Sequence, residues 1–300
     1  MKVIFFTNIF SHYRFSIWKL LLEEESINCI FYFSSKEFHG IKQSSLKKIK
    51  KSKLNKLRRI YNFSFLGKVI WQRGVLKKVY KSDADVFIFL GEMNIISTWI
   101  SSIILRHRNK KVVYWGHGLY GNENKVKKFF RLIFLKLAHH HFLYGNYAKK
   151  LMINCGFGTN KMTVIYNSLN NDLLINTSKE IDVLNLKKPK FLTSKKYLIF
   201  SGRLNKVKNL SLLLDAMNYF SKNNIDLNLI IVGKGPVLEK LKHEYNNLIE
   251  NRTVHFIGEL YDEIKLGTYI KNASLFVSPG NIGLASIHSL SYGTPVCTHD

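Results

Sequence analysis

Three glycine turns, each set between an apolar run and a helical pattern, hold the side chains best suited to chemistry in this sequence. The longest stretch runs from Ser278 to Val296. It turns through Pro279, Gly280 and Gly283, takes up a helical period at Leu284, Ile287 and Leu290, and stops at Gly293. A second turn follows Tyr197 to Ser201, where Gly202 and Arg203 precede Lys206 and Lys208. A third, Gly233-Lys234-Gly235-Pro236, follows Leu227 to Val232. Strand, glycine turn and helix in that order aim unpaired backbone N–H groups and the positive end of a helix dipole at one place, which suits a phosphate. Arg makes forked contacts with phosphate oxygens and Lys supplies a point charge, so Arg203 and Lys208 could reach one diphosphate together.

The elements that must position these turns alternate along the chain. Val3 to Thr7, Ile27 to Phe33, Asp85 to Leu90, Lys111 to Trp115, His141 to Tyr144 and Thr163 to Tyr166 read as strands separated by helical patterns. The first helix carries Phe15, Trp18, Leu21 and Leu22 on one face. From Asn170 to Lys196 the periodicity fades, and alternation resumes at Tyr197. This order predicts an α/β chain of two domains, each a doubly wound parallel sheet covered by helices on both faces. We place them at 1–170 and 197–300, joined by a linker over 171–196. Open sheets of this kind bind ligands at the carboxyl ends of their strands, where all three glycine turns fall. A doubly wound domain should run on through at least one more helix after the strand from Pro295, so the second domain reads as incomplete.

Three hundred residues with 46% hydrophobic content can bury a large core. The formal charge of +26 would suit nucleic acid, an anionic membrane or anionic small molecules. Joint enrichment in Lys, Asn and Ile, as AT-biased coding produces, accounts for much of it. No nucleic-acid-binding module is visible, and nucleic acid is not expected as a partner. Cys29, Cys155 and Cys297 form no C-x-x-C pair, so neither a disulfide framework nor a zinc site is indicated, and a reducing cytoplasm fits. The N-terminal apolar run, Val3 to Phe6, is too short for a signal peptide. The longest apolar stretch, Ile95 to Leu105, is shorter than the about 20 residues a bilayer span needs.

Four motifs in succession resemble the signatures of family 4 glycosyltransferases, retaining enzymes of the two-Rossmann GT-B fold. They are Gly202-Arg203-Leu204 with Lys208-Asn209-Leu210, then Val232 to Pro236, Val254 to Gly258, and Gly293-Thr294-Pro295-Val296. The resemblance implies a nucleotide-sugar donor on the C-terminal domain, an acceptor on the N-terminal domain and chemistry in the cleft that the two face across. It assigns Gly202, Arg203, Lys208 and Gly233 to the donor side, with Arg203 and Lys208 on its diphosphate. It also assigns Gly280 and Gly283 there, and has Leu284 and Ala285 offer backbone N–H groups. The family usually places Glu at both ends of an E-x7-E span, where this chain has Gly280 and His288. In the family the first lies near the transferred sugar and the second bonds the ribose. His288 can still hydrogen-bond a hydroxyl, whereas Gly280 offers only backbone.

On the N-terminal side, Trp115-Gly116-His117-Gly118 ends a strand where the family often carries a functional His. His117 could polarise a sugar hydroxyl or bond the leaving phosphate, or be a plain turn histidine. His12-Tyr13-Arg14 resembles the acceptor-side loop of polysaccharide-building members, so His12 and Arg14 are acceptor-side candidates. A surface loop before a helix is the alternative. Glu92, after Leu90-Gly91, is a further cleft candidate. Tyr166-Asn167-Ser168 matches the family's Asn turn, read as structural.

Two patterns invite other chemistry. His139-His140-His141 suggests a metal, but consecutive strand residues point to opposite faces. Asp83-Ala84-Asp85 has a D-x-D form, yet it precedes its strand, at the wrong sheet edge, so helix termination explains it better. No metal or other cofactor is expected. From Lys42 to Arg59 nine residues are basic, with Leu46, Ile49, Leu54 and Leu57 at roughly helical spacing. This predicts a charged helix, either simply solvated or docked peripherally on the inner, anionic face of the plasma membrane. The function expected is sugar transfer to a polysaccharide or polyprenyl-linked oligosaccharide. The alternative is a catalytically silent GT-B protein that binds nucleotide or partners an active transferase.

Overall fold

A computed structural model of the chain describes residues 1–34, 46, 49–65 and 69–299, and for His12 the backbone. It divides into two compact units, Met1–Asn167 and Ser168–Asp300.

In the first unit the apolar N-terminal run becomes β1 (Lys2–Ile9), buried from Val3 onward. A 3-10 turn, His12–Arg14, leads into α1 (Phe15–Glu23), which buries Trp18 and Leu22. Then come β2 (Asn28–Ser34), β3 (Leu57–Phe65), β4 (Val69–Arg73), α2 (Val75–Lys81) and β5 (Val86–Leu90). They are followed by α3 (Ile96–His107), β6 (Lys111–Gly116), α4 (Lys125–Leu135), β7 (His140–Leu143), α5 (Asn146–Ile153) and β8 (Met162–Val164). The strands form one sheet in the order β4-β3-β2-β1-β5-β6-β7-β8, parallel except for the β3–β4 hairpin. Alternate residues of β1 enter opposite cores: Ile4 and Phe6 pack with α2, α3 and α4, while Val3 and Phe5 pack with Trp18 of α1.

The second unit begins with α6 (Asn171–Val183), capped by the Asn170 side chain on Leu173 N–H. It continues with β9 (Tyr197–Ser201), α7 (Leu210–Lys222), β10 (Asn228–Val232), α8 (Leu238–Glu244), α9 (Asn246–Glu250) and β11 (Val254–Gly258). α10 (Glu263–Lys271), β12 (Leu275–Ser278), α11 (Leu284–Ser291) and β13 (Val296–Thr298) complete it. The sheet order is β11-β10-β9-β12-β13, all parallel. Tyr197 and Ile199 face one core and Leu198 and Phe200 the other. Each sheet therefore has a switch point, between β1 and β5 in the first unit and between β9 and β12 in the second.

Two expectations change. The stretch 171–196, read as a linker, contains α6, whose Leu174 and Ile181 enter the second unit's core. Lys271 of α10 reaches across to Ser178 Oγ (2.9 Å) and Asp182 (2.6 Å), so α6 is fastened to that unit. Its apolar period is thin in sequence because only Leu174, Thr177 and Ile181 face inward. The basic helix predicted over Lys42 to Arg59 falls partly outside the described residues. Its described end is a 3-10 helix, Lys51–Lys56, followed at Leu57 by β3. Extended backbone wins there because Leu57–Ile60 pairs with Phe31–Ser34 of β2. The β3–β4 hairpin itself was not predicted.

Asp83 and Asp85 take a structural role at the amino edge of the first sheet. Asp83 pairs with the Lys2 ammonium, and Asp85 Oδ2 accepts from Lys2 N–H at 2.9 Å. The histidines separate as alternation requires. His139 Nδ1 accepts from Val112 N–H, His140 meets Thr163 Oγ1, and His141 is buried against Tyr114 and Phe157. Among the described residues no group of three His, Cys, Asp or Glu side chains is placed to hold a metal, and no helix is long and apolar enough to cross a membrane.

Candidate functional site

The second unit gathers its candidates at the carboxyl ends of β9, β10 and β12. The three turns are locked backbone to backbone. Gly202 N–H donates to Val232 O (3.0 Å), Leu204 N–H to Lys234 O (2.9 Å), and Gly233 N–H to Gly258 O (2.7 Å). Gly233 has φ +135°, and a Cβ there would stand 2.0 Å from Gly202 O. No side chain fits between these turns. Gly233 thus serves the assembly of the cradle, by letting the β10 turn close on the β9 turn.

The loop after β9 meets the turn after β12 in the same way. Asn281 N–H donates to Val207 O at 2.9 Å, and the Lys208 ammonium returns a bond to Asn281 O. Gly280 lies between, its missing Cβ directed into the Val207–Lys208 backbone. Burial pushes the Lys208 ammonium below its ordinary pKa, so an anion arriving there would be met by a partly desolvated cation. Arg203, on the same loop after β9, is exposed. α11 starts at Leu284 with Gly283 as its N-cap residue and no side-chain cap; Ser286 N–H turns back to Gly283 O at 3.1 Å, and Leu284 and Ala285 supply the first N–H groups of the turn. Gly202, Arg203, Lys208, Gly280, Gly283, Leu284 and Ala285 thus converge on one sheet edge. Two cations and a helix N-terminus there can hold a diphosphate.

His288 is drawn one turn deeper. It is 9% exposed, and its Nε2 lies 2.6 Å from Glu263 Oε1, which also accepts from Tyr292 OH at 2.7 Å. Burial works against ionisation of Glu263, but the hydrogen bond and charge of His288, with the Tyr292 hydroxyl, outweigh it and hold this carboxyl below its ordinary range. One nitrogen of His288 is therefore committed inside the protein, leaving Nδ1 for any other partner. Sequence reasoning passed over Glu263, whose only signal is its place in the first turn of α10 after the Asp262 cap.

The first unit gathers Arg14, His117 and Glu92 at its own switch point. Arg14 is 8% exposed; its guanidinium bonds the Tyr144 hydroxyl and lies over the Tyr13, Trp115 and Tyr144 rings at 5.2, 5.7 and 5.2 Å. His117 stacks on Tyr120 (5.2 Å) and meets Tyr144 edge-on (4.7 Å). Burial, and then the charges of Arg14 and Arg131, push its pKa below the ordinary value. Arg131 pairs with Glu123 (3.4 Å) and donates to Gly118 O (3.2 Å), fixing the turn that carries His117. Burial raises the pKa of both Tyr120 and Tyr144, and the nearby charge of Glu92 adds to the rise. His12 starts the 3-10 turn, and its side chain lies outside the described residues.

Tyr144, Tyr120 and Arg131 were missed in the sequence. Tyr144 left one signal, an aromatic residue before Gly145 at a strand end. Arg131 left another, a lone cation on the buried face of α4. A buried amide cluster was also missed. Gln72 Nε2 donates to Asn8 Oδ1 (3.0 Å) and Asn62 Oδ1 (3.1 Å), pinning the β3–β4 hairpin to the end of β1.

Comparison with known proteins bears most directly on the second unit. Residues 184–300 match the family model of Glycosyl transferases group 1. Over 101 residues the chain is 29% identical to a GDP-mannose-dependent alpha-(1-6)-phosphatidylinositol dimannoside mannosyltransferase of Mycobacterium tuberculosis, covering 33% of this chain and 26% of that one. Over 107 residues it is 32% identical to an alpha-monoglucosyldiacylglycerol synthase of Streptococcus pneumoniae, covering 35% and 24%. The match thus spans about a quarter of the length of these curated relatives. Solved structures match over 99% of this chain. They include a lipopolysaccharide outer core galactosyltransferase in its apo form (TM-score 0.65, 17% identity, 80% of that chain). They also include HepE of Anabaena in complex with UDP (TM-score 0.67, 16% identity, 80% of that chain). At these identities the likeness speaks for the fold, which is GT-B, two Rossmann-like units, as the sequence motifs implied.

Proposed function

We propose that this chain acts in a retaining glycosyltransferase of family 4, moving a sugar from a nucleotide diphosphate sugar to a polysaccharide or lipid-linked oligosaccharide. The observation that carries this reading is the backbone-locked convergence of Arg203, Lys208 and the start of α11 at the switch point of the second sheet. As the bond between the anomeric carbon and the diphosphate oxygen breaks, negative charge builds on the leaving diphosphate. Arg203, Lys208 and the amides of Leu284 and Ala285 stabilise it where it develops. His117, held neutral, is the group to polarise the acceptor hydroxyl. Retention rests on the resemblance of the motifs. A lipid or saccharide acceptor is suggested by the names of the relatives, a phosphatidylinositol dimannoside mannosyltransferase and a lipopolysaccharide galactosyltransferase. A place at the inner face of the plasma membrane follows from such an acceptor.

A second reading is a catalytically silent protein that binds nucleotide or partners an active transferase. It is favoured by Gly280, which supplies no carboxylate, and by His288, which is tied to Glu263. A thermal-shift panel of nucleotide sugars, followed by product analysis with the best of them, separates the two. Stabilisation with transfer supports the first reading, stabilisation without transfer or donor hydrolysis the second, and no stabilisation by any nucleotide sugar removes the first reading and the nucleotide-binding form of the second.

A further inference from the structure

The outer face of α4 is apolar where a surface helix should be polar. Val126, Phe129, Phe130 and Ile133 recur at the i, i+3, i+4, i+7 spacing of one helical stripe and are 67, 60, 52 and 41% exposed. The opposite stripe is the one that packs inward. Arg131, Phe134 and Leu135 are buried, and Phe134 stacks on Tyr114 at 4.5 Å and meets Trp99 at 5.0 Å. The helix therefore has two apolar faces and uses one of them. Lys125, Lys127, Lys128 and Lys136 are all exposed around the second face, and the helix contains no acidic residue.

We infer that α4 is an interfacial helix that docks this chain on an anionic phospholipid bilayer, Phe129 and Phe130 entering the acyl boundary while the lysines meet the headgroups. Exposed aromatic and branched side chains ringed by lysine are the composition such helices share. A patch of this kind seldom stays bare on a soluble monomer. A second copy would bring lysine against lysine in a chain already carrying +26, so charge complementarity favours an anionic surface over self-association. The docking helix is also fastened to the candidate acceptor side: Arg131, on its inner face, bonds Gly118 O beside His117. The inference deepens the reading of a lipid-linked acceptor and rests on it for why the chain should seek a membrane. The contact itself is separate from nucleotide binding.

Flotation of the whole chain with vesicles tests this, using phosphatidylcholine alone and with phosphatidylglycerol, neither carrying a sugar acceptor. The protein should float with the anionic vesicles and not with the neutral ones. F129S/F130S should lower partitioning by about tenfold or more for each ring removed. K125E/K127E/K128E should lower it by about fivefold for each lysine lost, before counting the added repulsion. All five side chains are exposed, so the variants should keep the parent's thermal midpoint and nucleotide affinity. This separates failure of docking from failure of the transferase reading. In F130W the new indole should shift its emission to the blue when anionic vesicles are added. Vesicle binding of F129S/F130S equal to the parent's would overturn the inference. So would absence of binding by the parent, or a dimer in sedimentation that the same variant disperses.

Discussion

The β-carbon that Gly280 lacks would stand 2.3 Å from the carbonyl oxygen of Val207, closer than non-bonded atoms approach. The obstacle is backbone, held by Asn281 N–H on that same oxygen, so it cannot rotate away. A glutamate at 280, as the family pattern has it, would displace the loop that carries Lys208. This chain has the loop packed in instead.

Gly280→Ala should therefore lower stability by about 1–3 kcal/mol, as overpacking does, and weaken nucleotide binding through the displaced Lys208. Gly283→Ser meets open space at a position where serine is a favoured N-cap, and should leave stability unchanged or slightly improved. Thermal unfolding of both variants checks the pair. Equal midpoints would show that the Val207 contact is not a constraint.

Glu263 should give the second unit an acid-sensitive step. Its folded pKa is lowered, so the stability it contributes is present above the ordinary carboxylate value of about 4.3 and is lost as pH falls through the folded one. Hydrogen bonds to a charged group of this kind contribute about 1.5–3 kcal/mol. Glu263→Gln should lower the unfolding midpoint at pH 7 and narrow the gap to the parent toward pH 3. A gap that stays constant with pH would contradict the assignment.

His117 should titrate below its ordinary value of about 6.5 and so stay neutral at physiological pH. Arg14→Met removes one of the two neighbouring cations and should move the NMR titration midpoint upward. His117→Ala should cut transfer by about 10²-fold or more while leaving nucleotide affinity unchanged, because the cradle is in the other unit. Loss of nucleotide affinity in that variant would refute the division of labour.

Gln72→Leu should destabilise the first unit by about 1–3 kcal/mol, since it leaves the buried side-chain Oδ1 of Asn8 without its donor. Hydrogen exchange should localise the loss to β3 and β4. Protection there equal to the parent's would mean the amide cluster does not hold the hairpin.

If Arg203, Lys208 and amide groups meet the diphosphate charge as proposed, transfer should persist in EDTA. Complete loss that Mg²⁺ restores would contradict this.

Both sheets were legible because β1, β9 and β10 are covered on two faces and read as unbroken apolar runs. Gly202, Gly233 and Gly280 then announced where β9, β10 and β12 end. The β3–β4 hairpin was hidden because its outward positions carry Arg59, Tyr61, Phe63 and Arg73, which do not alternate cleanly with a polar face. α6 was hidden because a helix buried on one narrow stripe leaves a weak period. The partnership of His288 with Glu263 joins residues 25 apart through packing of α11 on α10, which no local pattern records. Arg14 and Tyr144, 130 residues apart, meet for the same reason.

The carboxyl edge around β9 and β12 is where a diphosphate should be received. Calorimetric titration of the whole chain with uridine, guanosine and thymidine diphosphate sugars should find one that binds. R203A/K208M should then weaken it by at least about tenfold for each cation removed. Affinity for that ligand unchanged in the double variant would contradict a diphosphate site at Arg203 and Lys208.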